Sequence, residues 1–171
     1  RGTPLHDLGF LADPSDCSTH KNQLILAKQL IKHGANVNAV TRPEGATPLH
    51  MACWTGNVTN LDFVELLLEN GADPNARNRW GWTPLMYTIP HSPGAAKYLL
   101  NWPTTNVNIA IPSEESFLAR VREAVERYSD KVALPDNPGM VKHKILLRQW
   151  REVEMMLVER GAHDTGITVI E

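Results

Sequence analysis

The sequence predicts an all-α chain arranged as an array of about four helix-turn-helix units, the last degenerate and enlarged. Three observations carry this. The run Thr47-Pro48-Leu49-His50-Met51-Ala52 has partial copies in Thr3-Pro4-Leu5-His6 and Thr83-Pro84-Leu85. Each copy is followed by a helix-ending or loop signal: Gly34-Ala35-Asn36-Val37-Asn38, Gly71-Ala72-Asp73-Pro74-Asn75, and a weaker Thr105-Asn106-Val107-Asn108. The copies keep a period, since Thr47 and Thr83 stand 36 residues apart and Asn38, Asn75 and Asn108 are separated by 37 and 33. A period in this range marks repeat architectures, in which each unit buries its apolar face only against its neighbours.

Each letter of the repeat has a chemical reason. A Thr before Pro is placed to cap a helix by accepting a backbone N–H, Pro suits the first helical position, and Gly tolerates the left-handed turn that ends a helix. Leu5, Leu49 and Leu85 should point inward. The units fall at about 1–39, 40–76, 77–109 and 110–164 within a single domain over 1–171, leaving 165–171 as a tail. In the first unit the excess length falls in the polar run Asp13 to His20, read as a loop between two helices. In the third, Pro90 and Pro93 predict an early stop to the first helix and a reshaped loop after it.

The fourth unit starts where Ser116-Phe117-Leu118 replaces Thr-Pro-Leu and ends at Gly161-Ala162-His163-Asp164. Its first helix is expected from about Ser113 to Tyr128. Ser113 is the candidate cap there, and Phe117, Leu118, Val121, Val125 and Tyr128 are the candidate core. A second helix, from about Met140 to Arg160, carries Leu146, Trp150, Val153 and Leu157 on one stripe and Lys144, Arg148 and Arg151 on the other. The basic stripe reads either as a solvated face or as a contact for an acidic or phosphate-bearing partner. Between the helices, Asp130 to Gly139 reads as a loop, mobile or folded over a binding face.

Composition bounds the function. The chain has 171 residues, 42% hydrophobic and 21% charged, with a net charge of −2. No apolar run approaches the roughly 20 residues that span a bilayer. The near-neutral balance argues against nucleic acid, which is met by a concentrated positive face. Cys17 and Cys53 are too few and too unpatterned for a disulfide framework, which points to a reducing cytoplasmic or nuclear setting. Opening at Arg1, almost inside a motif, the chain reads as an excised piece of something longer.

The motif Thr-Pro-Leu-His-x-Ala, its period and its Gly-Ala-x-x-Asn turns make the chain resemble the ankyrin-repeat family, well over residues 2–108 and loosely over 111–164. The resemblance implies a helical solenoid that binds a protein or peptide on its concave face and turn tips, as a non-catalytic scaffold. On that geometry the turn before Thr47 presents Arg42, Pro43, Glu44 and Ala46. The turn before Thr83 presents Asn78, Arg79, Trp80 and Trp82. The exposed ends of first helices add Trp54, Thr55 and His91. Three of five tryptophans thus fall at positions the family leaves variable, and Trp and Arg are the usual anchors of interfaces. The alternative for each Trp is packing against the neighbouring turn. A sharper version groups Trp54, Trp80, Trp82 and Glu44 as an aromatic cage for methylated lysine, since some chromatin-associated ankyrin domains resemble this arrangement. The resemblance also makes Asn38 and Asn75 candidate sites of asparaginyl hydroxylation, beside a plain turn-stabilising role.

Catalytic signatures are absent from the sequence: no phosphate-binding glycine loop and no nucleophile elbow occurs. No cofactor is implied. His6, Cys17 and His20 offer one short-spaced pair with no second pair, unlike a structural zinc site, so no metal is assigned. His6 and His50 are expected to be structural, and Cys53 a small core residue. The alternative function is a regulatory or scaffolding segment of a larger multidomain enzyme, a chromatin modifier being one candidate. Oligomeric state stays open.

Overall fold

The computed structural model describes residues 2–10, 17–54, 61–89, 91–108, 116–133 and 139–162, with residues 10 and 17–20 described through their backbone only. Among these residues every regular element is an α-helix: α1 (Pro4–Phe10), α2 (Cys17–Lys32), α3 (Pro48–Trp54), α4 (Leu61–Glu69), α5 (Pro84–Tyr87), α6 (Pro93–Asn101), α7 (Phe117–Ala133) and α8 (Met140–Glu159). By their contacts the residues group into two compact units, Arg1–Thr105 and Asn106–Glu171, where the sequence reading drew one domain.

In the Arg1–Thr105 unit the helices pair as α1 with α2, α3 with α4 and α5 with α6. The first helices stack as one layer, α1 on α3 on α5, and the second helices as another, α2 on α4 on α6. Leu5, Leu49 and Leu85 do point inward and are almost fully buried. α4, between two neighbours, buries Phe63, Val64, Leu66, Leu67 and Leu68 out of nine residues. Two ladders of polar side chains join successive turns.

The first ladder is built on histidine. The backbone N–H of Thr47 donates to His50 Nδ1 at 3.1 Å, and the Thr47 hydroxyl lies 2.8 Å from the same nitrogen. Nδ1 is therefore the acceptor, and Nε2–H donates to the carbonyl of Trp82, one repeat onward, at 3.0 Å. His6 repeats the arrangement, with Thr3 N–H at 3.0 Å on Nδ1 and the Ala46 carbonyl 2.9 Å from Nε2. The Thr hydroxyl thus serves the imidazole rather than capping the helix, and Thr83, where Met86 stands in the histidine position, has no side-chain cap bond at all.

The second ladder is built on asparagine. The Asn38 amide donates to the Gly71 carbonyl at 2.8 Å and its Oδ1 accepts the Asp73 N–H at 2.9 Å. The Asn75 amide donates to the Thr104 carbonyl at 2.7 Å. In the Asn106–Glu171 unit the Asn108 amide reaches the Gly161 carbonyl at 3.1 Å. α2, α4 and α8 end in a left-handed glycine closed by two backward bonds, as when Gly71 N–H meets Leu68 O at 3.1 Å and Ala72 N–H meets Leu67 O at 2.9 Å, whereas α6 ends at Trp102 without one.

Several boundaries differ from the sequence reading. Cys17 to His20 are helical, because α2 begins inside the polar run taken for a loop. α7 continues through Asp130 to Ala133, likewise beyond the loop boundary drawn there. Its N-terminal bond comes from Ser116, whose Oγ accepts the Ala119 N–H at 3.0 Å, while Ser113 lies outside the described residues. Ala124 is buried where Val125 was expected, and Val125 is half-buried. α5 stops after four residues, as the prolines foretold, and Pro93 opens α6 at its first turn; Pro90 lies outside the described residues. α7 and α8 run antiparallel, the Arg122–Glu154 pair at 3.0 Å and the Tyr128–His143 ring contact at 5.9 Å progressing in opposite senses along the two helices. Trp150, Val153 and Leu157 form the α8 side of that core.

Because His50 is fully buried, desolvation holds its imidazole down from 6.5 to about 4; the Trp82 carbonyl and Asp73 oppose the shift and His6 adds to it. The unfolded chain therefore binds this proton more tightly than the native state, and stability contributed by the neutral ring is complete above pH 6.5 and lost as pH falls toward 4. Urea titrations across that window should show His50 accounting for about 3 kcal/mol of the loss. A His50→Gln variant should be less stable at pH 7 by about 2–4 kcal/mol, and its stability should fall less between pH 6.5 and 4.

Candidate functional site

The site is built where two turns of the Arg1–Thr105 unit meet. In the first, Thr41 N–H donates to the Ala46 carbonyl at 2.9 Å and Gly45 N–H to the Thr41 carbonyl at 2.8 Å, with Gly45 at φ +71. In the second, Asn78 N–H donates to the Trp82 carbonyl at 3.0 Å and Gly81 N–H to the Asn78 carbonyl at 2.9 Å, with Gly81 at φ +78. Arg79 N–H donates to the Glu44 carbonyl at 2.9 Å and ties the two together. The approach is close: a Cβ on Gly45 would stand 3.3 Å from the Arg79 nitrogen. Backbone conformation and space therefore both require glycine there.

Asn78 organises the second turn from inside. Its Oδ1 accepts the N–H groups of Trp80 at 2.9 Å and Trp82 at 3.0 Å, and its amide donates to the Tyr87 hydroxyl oxygen at 2.8 Å. It is buried, so it is not the presented turn residue that the sequence reading made it. The signal was available in Asn78-x-Trp80-Gly81, since an Asn two residues before a turn amide commonly bonds it.

Tyr87 is the residue around which the aromatics gather. Its ring meets His50 edge-on at 5.0 Å, Trp54 at 5.5 Å and Trp82 at 6.1 Å between centroids. Burial pushes its phenol above the usual value, the Asn78 bond opposes that, and the nearby Glu44 carboxylate reinforces it. Nothing in the repeat motif marks Tyr87, because its role arises from neighbours that are distant in sequence.

The predicted residues divide accordingly. Trp54 and Trp80 are exposed, with 53% and 47% of their surface accessible. Arg42, Glu44, Arg79 and His91 are exposed as well, although His91 sits in the link between α5 and α6 and not on a helix end. Trp82 departs from expectation: it is half-buried, because its ring closes against Tyr87. Thr55 lies outside the described residues. Arg79 places its guanidinium carbon 5.6 Å from the centre of the Trp80 ring, so a cation of the chain itself faces that indole. Asn38 and Asn75, the candidate hydroxylation residues, have their amides engaged in the turn-to-turn ladder. His6, considered as a metal ligand, has one ring nitrogen on Thr3 and the other on Ala46. Among the described residues no helix is long and apolar enough to cross a membrane.

The family model "Ankyrin repeats (3 copies)" matches residues 16–111. The mouse 2-5A-dependent ribonuclease is 41% identical over 69 residues, which is 40% of this chain and 9% of that protein. The ankyrin repeat and LEM domain-containing protein 1 homolog of Caenorhabditis elegans is 49% identical over 57 residues, 33% of this chain and 8% of that protein. An ankyrin repeat protein of Acanthamoeba polyphaga mimivirus is 38% identical over 95 residues, 54% of this chain and 56% of that protein. The matches thus span under a tenth of the first two relatives and about half of the third. Ankyrin repeats are in general non-catalytic modules of protein–protein interaction.

The Asn78 bonds carry a measurable consequence. Asn78→Ala leaves the buried Tyr87 hydroxyl and two turn amides without their partner, and should cost about 2–3 kcal/mol in a urea titration. Tyr87→Phe removes a single bond and should cost about 1 kcal/mol.

Proposed function

We propose, from the premise that this chain belongs to the ankyrin-repeat family, that its Arg1–Thr105 unit binds a protein or peptide partner on the patch formed by Trp54, Trp80, Arg79, Arg42 and Glu44. The observation that supports this reading is the pair of half-exposed indoles held on ordered elements. Trp54 rests on Tyr87 with its other side open, and Trp80 hangs from a turn bonded at three points by Asn78. Side chains held this way lose little conformational freedom on binding, so their apolar contact converts efficiently into affinity. Trp and Arg in such places are the common energetic anchors of an interface. His91 and Trp82 act at the margin, the first as an exposed polar contact and the second as support. A protein fits better than a nucleic acid because the chain as a whole carries a net charge of −2. The working compartment in this reading is the cytoplasm or nucleus, where scaffolds of this kind act.

The methyl-lysine variant is the weaker form of the reading. A cation seated on Trp80 would meet the Arg79 guanidinium already facing that ring, and like charges repel. An ordinary apolar side chain meets no such cost. A second reading, in which the unit is a regulatory or scaffolding part of a longer enzyme, draws support from the lengths of the relatives, one of them by name a ribonuclease, in which the match covers 9% of the protein.

Two measurements test the patch. The double variant Trp54→Ala, Trp80→Ala should lose at least tenfold in affinity for partners captured by the native chain, about 1.4 kcal/mol or more, while its urea midpoint moves little because both rings are half-exposed. Capture of the same partners at unchanged affinity would refute the site. Peptides carrying methylated and unmethylated lysine should bind equally; a tenfold preference for the methylated form would restore the cage.

A further inference from the structure

The outward face of α8 is a second unassigned surface. Toward α7 the helix buries Trp150, Val153 and Leu157. On the other side, Lys144, Leu147, Arg148, Arg151, Glu152 and Met155, all on α8 itself, line a shallow open hollow of about 340 Å³ along the helix surface. The sequence reading had only a basic stripe there. The structure interleaves it with exposed apolar groups, since Val141 is 74%, Ile145 53%, Met155 58% and Val158 53% accessible. Exposed large hydrophobic residues scattered singly are ordinary, but here they stand as two neighbouring pairs, Val141 with Ile145 and Met155 with Val158, at the two ends of the cationic stretch.

We infer that this hollow is the docking site for an acidic amphipathic helix of a partner protein. Charge complementarity argues for the occupant. Three cations line the hollow against one carboxylate, Glu152, which already accepts a bond from Arg148 Nε at 3.3 Å. The surplus is positive, and it borders apolar surface from Leu147 and Met155. An incoming helix that places carboxylates beside an apolar row meets both features at once. Length agrees as well: Lys144 to Met155 covers about 16 Å, or three helical turns, enough to meet an i, i+4, i+7 row of a helix packed alongside.

The test is selection of a displayed library of amphipathic helical peptides against the whole 171-residue chain. Enriched peptides should carry Asp or Glu flanking an i, i+4, i+7 apolar row. They should lose at least tenfold in affinity for the Arg148→Ala, Arg151→Ala variant, retain most of it for the Arg148→Lys, Arg151→Lys variant, and bind the Trp54→Ala, Trp80→Ala variant unchanged. The exposure of all the substituted side chains leaves the helical circular dichroism intact as a control on folding. No enrichment, enrichment without acidic excess, or full binding to the alanine variant would overturn the proposal. So would sedimentation of the native chain with phosphatidylserine vesicles that the alanine variant abolishes, which would assign the face to lipid.

Discussion

The hydrogen bonds of His50 are the constraint from which the Arg1–Thr105 unit takes its order. A fully buried imidazole accepts from its own repeat through Nδ1 and donates to the next through Nε2, at the Trp82 carbonyl. Neither partner is exchangeable for water at that depth, so moving the neighbouring turn would leave a buried donor and acceptor unpaired. The position of the Trp80 and Trp82 turn is therefore tied to a residue some thirty positions earlier in the chain. His6 ties the turn around Gly45 in the same way through Ala46.

The arrangement changes where the histidine stops. Met86 occupies the equivalent place in the third unit and offers no such bond. There the polar work passes to Asn78 and Tyr87, which lock the turn from within, and the first helix shortens to Pro84–Tyr87. The asparagine ladder continues across the change, from Asn75 to Thr104. Loss of one device thus coincides with the densest aromatic cluster in the unit. That coincidence places the exposed faces of Trp54 and Trp80 on a firm base, the quality a recognition surface needs and a loop by itself does not provide.

How much could be read in advance depended on whether the physical signal was local. The repeat period, the inward leucines and the left-handed glycines of the repeat turns depend on neighbours three to five residues away or on a regular recurrence and were legible, and the structural role of His6 and His50 followed from the family resemblance. Helix ends were read less well. Cys17 to His20 at the start of α2 and Asp130 to Ala133 at the end of α7 look like loop by composition, yet they extend helices whose apolar residues lie elsewhere along them. Polar residues at a helix end are decided by whether the turn can still bond the carbonyl ahead of it, and the pattern of apolar residues carries little information there. The Thr hydroxyls were read as caps because that is their usual local use; a histidine three residues on competed successfully for them.

The sequence by itself determined the architecture of stacked helix pairs, because that follows from periodicity and from the backbone preferences of Pro and Gly; the candidate residues at the turn tips came from the resemblance to the ankyrin-repeat family. Only the tertiary structure decided which of those residues face outward. Trp54 and Trp80 stand open, Trp82 turns against Tyr87, and Asn78 is drawn inside. On α8 it likewise decided that the basic stripe carries exposed apolar groups along its length. The physical reason is that exposure depends on what the adjacent element supplies to cover a side chain. That neighbour comes from another part of the chain, so no local pattern encodes it.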